Sequence, residues 1–311
     1  MAFAQSILNH AGCHRFAEAA NLQRISAFYE EERRVLWTFH HPHPRPCFSF
    51  ELLKEVALVQ RAAQKSGLPI DFWVTGSTVP GFFNAGGNLS FLASLIRAND
   101  RETLLAYARS CVDAIHNAMT GFGMNAVTIA QVEGTALGGG LEAALAHDFV
   151  LAQEDVKLGL PEMAFDLYPG MGAYPLTMRR SNRRVAEDLI LSGESHSGLW
   201  FYERGIIDRT FVSGDAFTAT RTLIDNLRPK LNAVRGLLAM RNRTSPVTRQ
   251  ELMEVTEQWV EFALMLAPDK LEYMERLGKL QEKRPIKPLQ LVPSSLMPPP
   301  VEAPVLRHAT V

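Results

Sequence analysis

The chain has 311 residues, 32 basic and 33 acidic side chains, and a formal net charge of −1. So even a balance gives nucleic acid or an anionic membrane no electrostatic footing, and the length suffices for one large domain or two moderate ones. Cys13, Cys47 and Cys111 are odd in number and widely spaced, so they form neither a disulfide framework nor a metal pattern. A reducing cytoplasm suits them. The first residues, MAFAQSILNHAGCHRF, lack the basic start and continuous apolar core of a signal peptide. No apolar run is long enough to span a bilayer, so a cytoplasmic protein without membrane insertion is expected.

In chain order, residues 1–21 are alanine-rich and weakly patterned, and read as a helix or mobile arm. Leu22 to Glu30 and Val35 to Phe39 read as two strands around the charged turn at 30–34. The following His40-His41-Pro42-His43-Pro44-Arg45-Pro46 reads as a proline-stiffened loop rather than a metal site, which needs converging geometry and usually an acid or thiolate in support. Ser49 is placed to cap a helix running to about Gln64, with Leu52, Leu53, Val56 and Val59 on one face. Ile70 to Thr75 reads as a strand leading into a glycine-rich loop, and Phe91 to Ile96 and Glu102 to Thr120 as helices. From Ala216 to Leu280 the pattern is helical, broken at Pro229, Ser245-Pro246 and Pro268. Beyond Lys283 lie seven of the eighteen prolines, so an extended or disordered tail is expected over 283–311.

The chemistry concentrates between Ala126 and Tyr174. The run from Ala126 to Val132 is dense in β-branched residues and free of charge, as a buried strand requires. It leads to Gly138-Gly139-Gly140 and then to Leu141-Glu142-Ala143-Ala144, a tight turn followed by a helix start. Glycine lets backbone approach a ligand closely, and the first amides of a helix have no partner within it, so such a corner stabilises negative charge. Glu142 follows in the first helical turn and Glu162 follows Pro161 in a second loop. Two carboxyls beside an anion-stabilising corner are suited to moving protons next to a carbonyl. Gly138, Gly140 and Ala143 also fit a dinucleotide-binding G-x-G-x-x-A, with Glu162 as the distant acid, but that short pattern leaves Glu142 and the earlier glycine loop unexplained.

These residues resemble the crotonase (enoyl-CoA hydratase/isomerase) superfamily. The matching segments are Gly134 to Glu142, Asp148, Pro161-Glu162, Pro169-Gly170-Met171-Gly172, Leu191-Ser192-Gly193 and Glu203 to Asp208, in family order and spacing. The resemblance implies an α/β crotonase (ClpP/crotonase-like) spiral of ββα units over 22–215. A helical C-terminal part over 216–282 would cover the acyl site and build a trimer or dimer of trimers. The loop Phe83-Asn84-Ala85-Gly86-Gly87-Asn88-Leu89 stands where crotonases carry F-x-A-G-x-D-L, with Asn88 in place of the family's Asp. By that match the amides of Gly87 and Gly139 are the oxyanion donors, and Gly86 belongs to the substrate site. No metal, nucleotide or redox cofactor is called for.

VPGFFNAGGNLSFL, LYPGMGAYPLTMRR and the long C-terminal helices are similar to the RpfF-type diffusible signal factor synthases within that superfamily. That branch implies dehydration of a 3-hydroxyacyl group on acyl carrier protein and hydrolysis of its thioester, giving a cis-2-unsaturated fatty acid quorum signal. Glu142 and Glu162 match its catalytic pair, and Met171, Trp259 and Leu277 match positions lining its acyl pocket. Glu162 is assigned to the C2 proton and Glu142 to the 3-hydroxyl. The basic group Arg179, Arg180, Arg183 and Arg184 offers a dock for acidic acyl carrier protein or for CoA phosphate, or else forms solvated surface or a subunit contact. A conventional enoyl-CoA hydratase or isomerase, and a regulator that binds the receiver domain of a sensor histidine kinase, are the alternatives.

Overall fold

A computed structural model describes residues 13–16, 22–283 and 285–288. The remaining residues of the expected arm and nearly all of the proline-rich tail lie outside it.

The chain builds a seven-stranded sheet, in spatial order β1 (Cys13–Arg15), β2 (Ile25–Glu30), β3 (Val35–His40), β4 (Phe72–Ser77), β6 (Val127–Val132), β8 (Phe149–Gln153), β11 (Arg209–Phe211). From β3 onward its neighbours are parallel, whereas β1, β2 and β3 pair antiparallel. A second, four-stranded sheet runs β10 (Ser195–Ser197), β9 (Lys157–Gly159), β7 (Thr135–Leu137), β5 (Phe82–Asn84). The long strands are mostly apolar because both faces of the large sheet are covered, with Glu30, Thr38, Thr75, Thr128 and Gln131 buried among them. Alternation divides their side chains. Trp37, Phe39, Phe72, Val74 and Ile129 meet Phe217 and Ile224 on one face, while Leu36, Trp73 and Ala130 join the larger core on the other.

Three turns of the chain repeat one route. A strand of the large sheet, β4, β6 or β8, leads directly into a strand of the small sheet, β5, β7 or β9, and then into helical chain. This is the crotonase spiral of ββα units. The helices that follow β5 are α2 (Leu89–Arg97) and α3 (Arg101–Met119), after α1 (Phe50–Lys65) earlier in the chain. The helix following β7 is α4 (Gly139–Leu145), and a short 3-10 turn, Pro161–Phe165, follows β9. Next come α5 (Ala173–Arg180), α6 (Arg183–Ser192), α7 (Gly198–Glu203) and α8 (Ala216–Leu227). The chain closes with α9 (Leu231–Thr244), α10 (Arg249–Leu264) and α11 (Pro268–Glu282), broken near the expected prolines.

Ser49 caps α1 by accepting the Leu52 amide, an interaction worth about 1 kcal/mol. Asn88, the departure from the family's Asp, caps α2 through the Phe91 amide, a task an amide oxygen performs as well as a carboxylate. Two expectations need correction. Residues 13–15, read as part of a helix or arm, form an edge strand on β2, held by ladder bonds that an alanine-rich segment does not announce. Arg180, read with the basic surface group, points inward to the Leu145 carbonyl and Asp208, while Arg183 and Arg184 remain exposed beside Glu187 and Asp188.

Candidate active site

β5, β7 and β9 lie side by side and parallel, so the turns that follow them emerge at one edge of the small sheet. Those turns carry Gly86-Gly87, Gly138-Gly139 and Glu162, brought together from distant parts of the sequence. Gly86 has φ +82, and a Cβ there would lie 2.8 Å from the Leu137 carbonyl oxygen and 3.1 Å from the Gly139 nitrogen. Glycine is therefore required by both backbone conformation and space. The Gly86 amide donates to Asn84 Oδ1 at 2.8 Å, and its carbonyl accepts the Phe48 amide at 2.8 Å. In a trans peptide the N–H points opposite to the carbonyl, so this bond turns the Gly87 N–H away from Phe48. Gly139 is the first residue of α4, and its amide has no partner within the helix. Among the described residues neither amide is taken by a carbonyl of the surrounding turns and loops.

The carboxyls flank this corner. Glu142, 1 % exposed, accepts the amides of Met171 at 2.9 Å and Ala173 at 2.8 Å on one oxygen, so the Pro169–Ala173 loop folds around it. Glu162 projects over Gly138, where any side chain would collide with its Oε1. Its other oxygen is sealed from water and has no partner among the described residues. Burial pushes the Glu142 carboxyl up, and its two backbone donors offset part of that rise. Glu162 is raised by burial and, second, by the charge of Glu142, with weaker hydrogen-bond compensation. Both carboxyls are therefore raised, and each resists ionising while the other carries charge.

Met171 stands between the corner and the core, its sulfur 2.8 Å from where a Cβ on Gly139 would be. Behind it runs a narrow apolar cavity of about 40 Å³, with Phe48, Leu53, Val56, Cys111, Ile115 and Phe122 in its wall. Sequence reasoning set the acyl wall at Met171, Trp259 and Leu277, and the structure divides them. Trp259 packs against Gly170 and Leu277 packs on the core from α11, but neither lines this cavity. The residues of α1 and α3 that do line it were read simply as the apolar face of each helix. His147 lines it too, fixed by Ala143 O and Thr75 Oγ1, both at 2.9 Å. Burial lowers its pKa to about 4, so it stays neutral, donates from Nδ1 to the carbonyl and accepts the threonine hydroxyl at Nε2. Among the described residues no three His, Cys, Asp or Glu side chains gather as metal ligands, and no helix is long and apolar enough to cross a membrane.

Two raised carboxyls and an adjoining apolar cavity thus flank the glycine corner of a ββα spiral, an arrangement of crotonase type. The enoyl-CoA hydratase/isomerase family model matches residues 35–272, and the chain belongs to that family. Human mitochondrial methylglutaconyl-CoA hydratase is 30 % identical over 264 residues, covering 82 % of this chain and 74 % of that protein. A probable mitochondrial enoyl-CoA hydratase 2 of Arabidopsis thaliana is 32 % identical over 142 residues, covering 45 % of this chain but only 44 % of its own length. Among solved structures, an enoyl-CoA hydratase from Geobacillus kaustophilus aligns with TM-score 0.64 and 24 % identity, covering 85 % of this chain and 96 % of that one. Pseudomonas aeruginosa DspI aligns with TM-score 0.62 and 23 % identity, covering 77 % of this chain and 95 % of its own. At those identities the likeness of the solved structures speaks for the fold.

Proposed function

We propose that the chain interconverts 3-hydroxyacyl and 2-enoyl thioesters, and that its physiological direction is dehydration of a carrier-protein-bound 3-hydroxyacyl group followed by thioester hydrolysis. The observation that carries the first part is the pair of raised carboxyls, Glu142 and Glu162, set beside the Gly87 and Gly139 amides. The thioester oxygen would accept both amides, stabilising an enolate by about 3 kcal/mol per donor in comparable sites. In hydration, Glu142 takes a proton from water as its oxygen bonds to C3, while Glu162 delivers its proton to C2. Dehydration reverses both transfers: Glu162, ionised, removes the C2 proton and Glu142, protonated, releases the 3-hydroxyl as water. Hydration needs the proton on Glu162, and dehydration needs it on Glu142. A dehydrating turnover starts from the second arrangement and ends in the first.

For the hydrolytic step, water deprotonated by the same pair attacks the thioester carbonyl in the same amide cradle. The C–S bond breaks and the carrier thiol leaves with a proton. Support for this finer reading is the resemblance of the Val79–Leu92 and Leu167–Arg180 segments to signal synthases that release 2-unsaturated fatty acids from acyl carrier protein. The cavity behind Met171 supports an apolar acyl substituent on C3. A conventional hydratase acting on CoA esters uses the same residues, so the carrier and the free acid separate the two. Purified protein is incubated with a 3-hydroxyacyl carrier protein and with the matching CoA ester, and products are identified by mass spectrometry. Free 2-enoic acid from the carrier-bound substrate, absent in the Glu142→Ala, Glu162→Ala double variant, is expected. Reversible hydration of the CoA ester with no free acid would assign a conventional hydratase. Turnover of neither would favour the receiver-binding alternative.

A further inference from the structure

The oxyanion loop is gripped from two sides. On one side segment 44–48 pairs with it: Ala85 N donates to Pro46 O at 2.6 Å and Phe48 N to Gly86 O at 2.8 Å. On the other side lies α11, far away in sequence. Gly278 of α11 sits so close that a Cβ there would be 2.7 Å from the Ser90 nitrogen. One turn on, Gln281 reaches the loop with both ends of its side-chain amide. Its Oε1 accepts the Leu89 amide at 3.1 Å, and its Nε2 donates to Gly87 O at 3.2 Å and toward Ala85 O at 3.5 Å. The partners fix which atom is which, since a backbone N–H only donates and a carbonyl only accepts. Past the helix, Ile286 N donates to Pro44 O at 2.9 Å, tying the same segment back to the first clamp.

We infer that Gln281 is a positioning residue for the reaction, and that docking of α11 holds in place the loop that presents the Gly87 amide; the inference rests on the thioester reading above. Gly87 has no Cβ, so its two flanking peptide planes rotate with little steric guidance. The plane before it, which carries the Gly87 N–H, is pinned by Phe48; the plane after it is held at its carbonyl by Gln281 and is also met by the Phe48–Gly87 bridge. Losing the Gln281 bonds removes the grip of α11 on residues 85, 87 and 89 and lets the loop, with the Gly87 N–H it carries, settle in more than one arrangement. An oxyanion donor acts only within a few tenths of an ångström of its proper place. The exposed pairs that also join α10 and α11 to the core, Arg97–Glu275 and Arg101–Glu261, are solvent-screened and do not touch the loop.

The test uses the full chain and two variants. Gln281→Leu keeps the volume and removes all three bonds, whereas Gln281→Glu keeps the acceptor for Leu89 and loses the donor to Gly87 and Ala85. Hydration of a 2-enoyl-CoA is followed for kcat and KM, and hydrogen exchange is measured on peptides covering 82–91 and 127–132. Both variants are expected to lose ~10-fold in kcat with KM within about twofold of the parent. Exchange should rise over 85–89 and stay unchanged in β6. A Gln281→Leu kcat within about twofold of the parent overturns the role, as does a Gln281→Glu variant with full activity. If the parent protein turns over no enoyl thioester, the thioester reading fails instead. Exchange alone then decides the clamp, and unchanged protection over 85–89 in Gln281→Leu rejects it.

Discussion

Gly86→Ala places the added methyl 2.8 Å from the Leu137 carbonyl oxygen and 3.1 Å from the Gly139 nitrogen, at a φ of +82. The first contact falls short of an ordinary van der Waals distance by about 0.6 Å, and the atom it meets is backbone, which cannot rotate aside. Left-handed backbone costs an L-residue about 1–2 kcal/mol, and relieving the collision moves the two amide-bearing turns apart. A displacement of that size at the donors should cost roughly 10²-fold or more in kcat, the loss seen when one oxyanion donor is removed. Gly67→Ala is the control: φ is +69 and no heavy atom lies within 4 Å of the added methyl. It carries the same backbone strain far from the chemistry. Thermal unfolding and kcat for 2-enoyl-CoA hydration, measured on both variants, separate the terms. The expectation is a melting point a few degrees lower in both and a large kcat loss in Gly86→Ala alone. A Gly86→Ala kcat within about tenfold of the parent, or an equal loss in Gly67→Ala, would refute the reading of this corner as the oxyanion site.

Glu162→Gln should abolish turnover yet stabilise the fold. A carboxyl raised by folding keeps its proton where the unfolded chain has lost it, so its contribution falls as pH rises above the ordinary carboxylate value. The melting-point gain of Glu162→Gln should therefore grow from about pH 5 to pH 8, and a gain independent of pH would contradict the raised carboxyl. His147 has the opposite dependence. Its folded pKa is lowered to about 4, so stability present at neutral pH is lost as pH falls below about 6.5, on the order of 3 kcal/mol for the buried ring. Substituting Asn for His147 should flatten that acid slope in calorimetry, and an unchanged slope would assign it elsewhere. Ala114→Phe fills part of the cavity behind Met171. It should reduce turnover of decenoyl thioester far more than butenoyl thioester, and an equal loss on both chains would show that the acyl group goes elsewhere.

Much of this site was legible because its chemistry is local in sequence. The strand from Val127 to Val132, the glycine corner and Glu142 follow one another within a few residues, and apolar continuity reports a strand covered on both faces. β5, β7 and β9 left no such trace. Each has three residues, too few for an alternating pattern, so the small sheet that aligns the three site turns emerges from pairing rather than composition. Side-chain direction was also hidden. Arg180 sits in a run of arginines that reads as surface, yet helix phase turns it onto the end of α4 and Asp208. Gln281 lies on a polar helix beside a glutamate, with no motif around it; its role depends on an approach that Gly278 permits. The cavity is a void between α1, α3 and the large sheet, made by residues whose spacing shows only that they are apolar.

The separate duties of Glu142 and Glu162 are tested most directly by isotope transfer. A 2-enoyl thioester is incubated in deuterated water enriched in oxygen-18, and label at C2 and at the 3-hydroxyl is read by mass spectrometry for the parent, Glu142→Gln and Glu162→Gln. The parent should place one deuterium at C2 and one labelled oxygen at C3. With a preformed 3-hydroxyacyl thioester, Glu162→Gln should lose exchange of the C2 proton, whereas Glu142→Gln should keep that exchange while failing to gain or release the C3 oxygen. C2 exchange at the parent rate in Glu162→Gln would contradict the assignment.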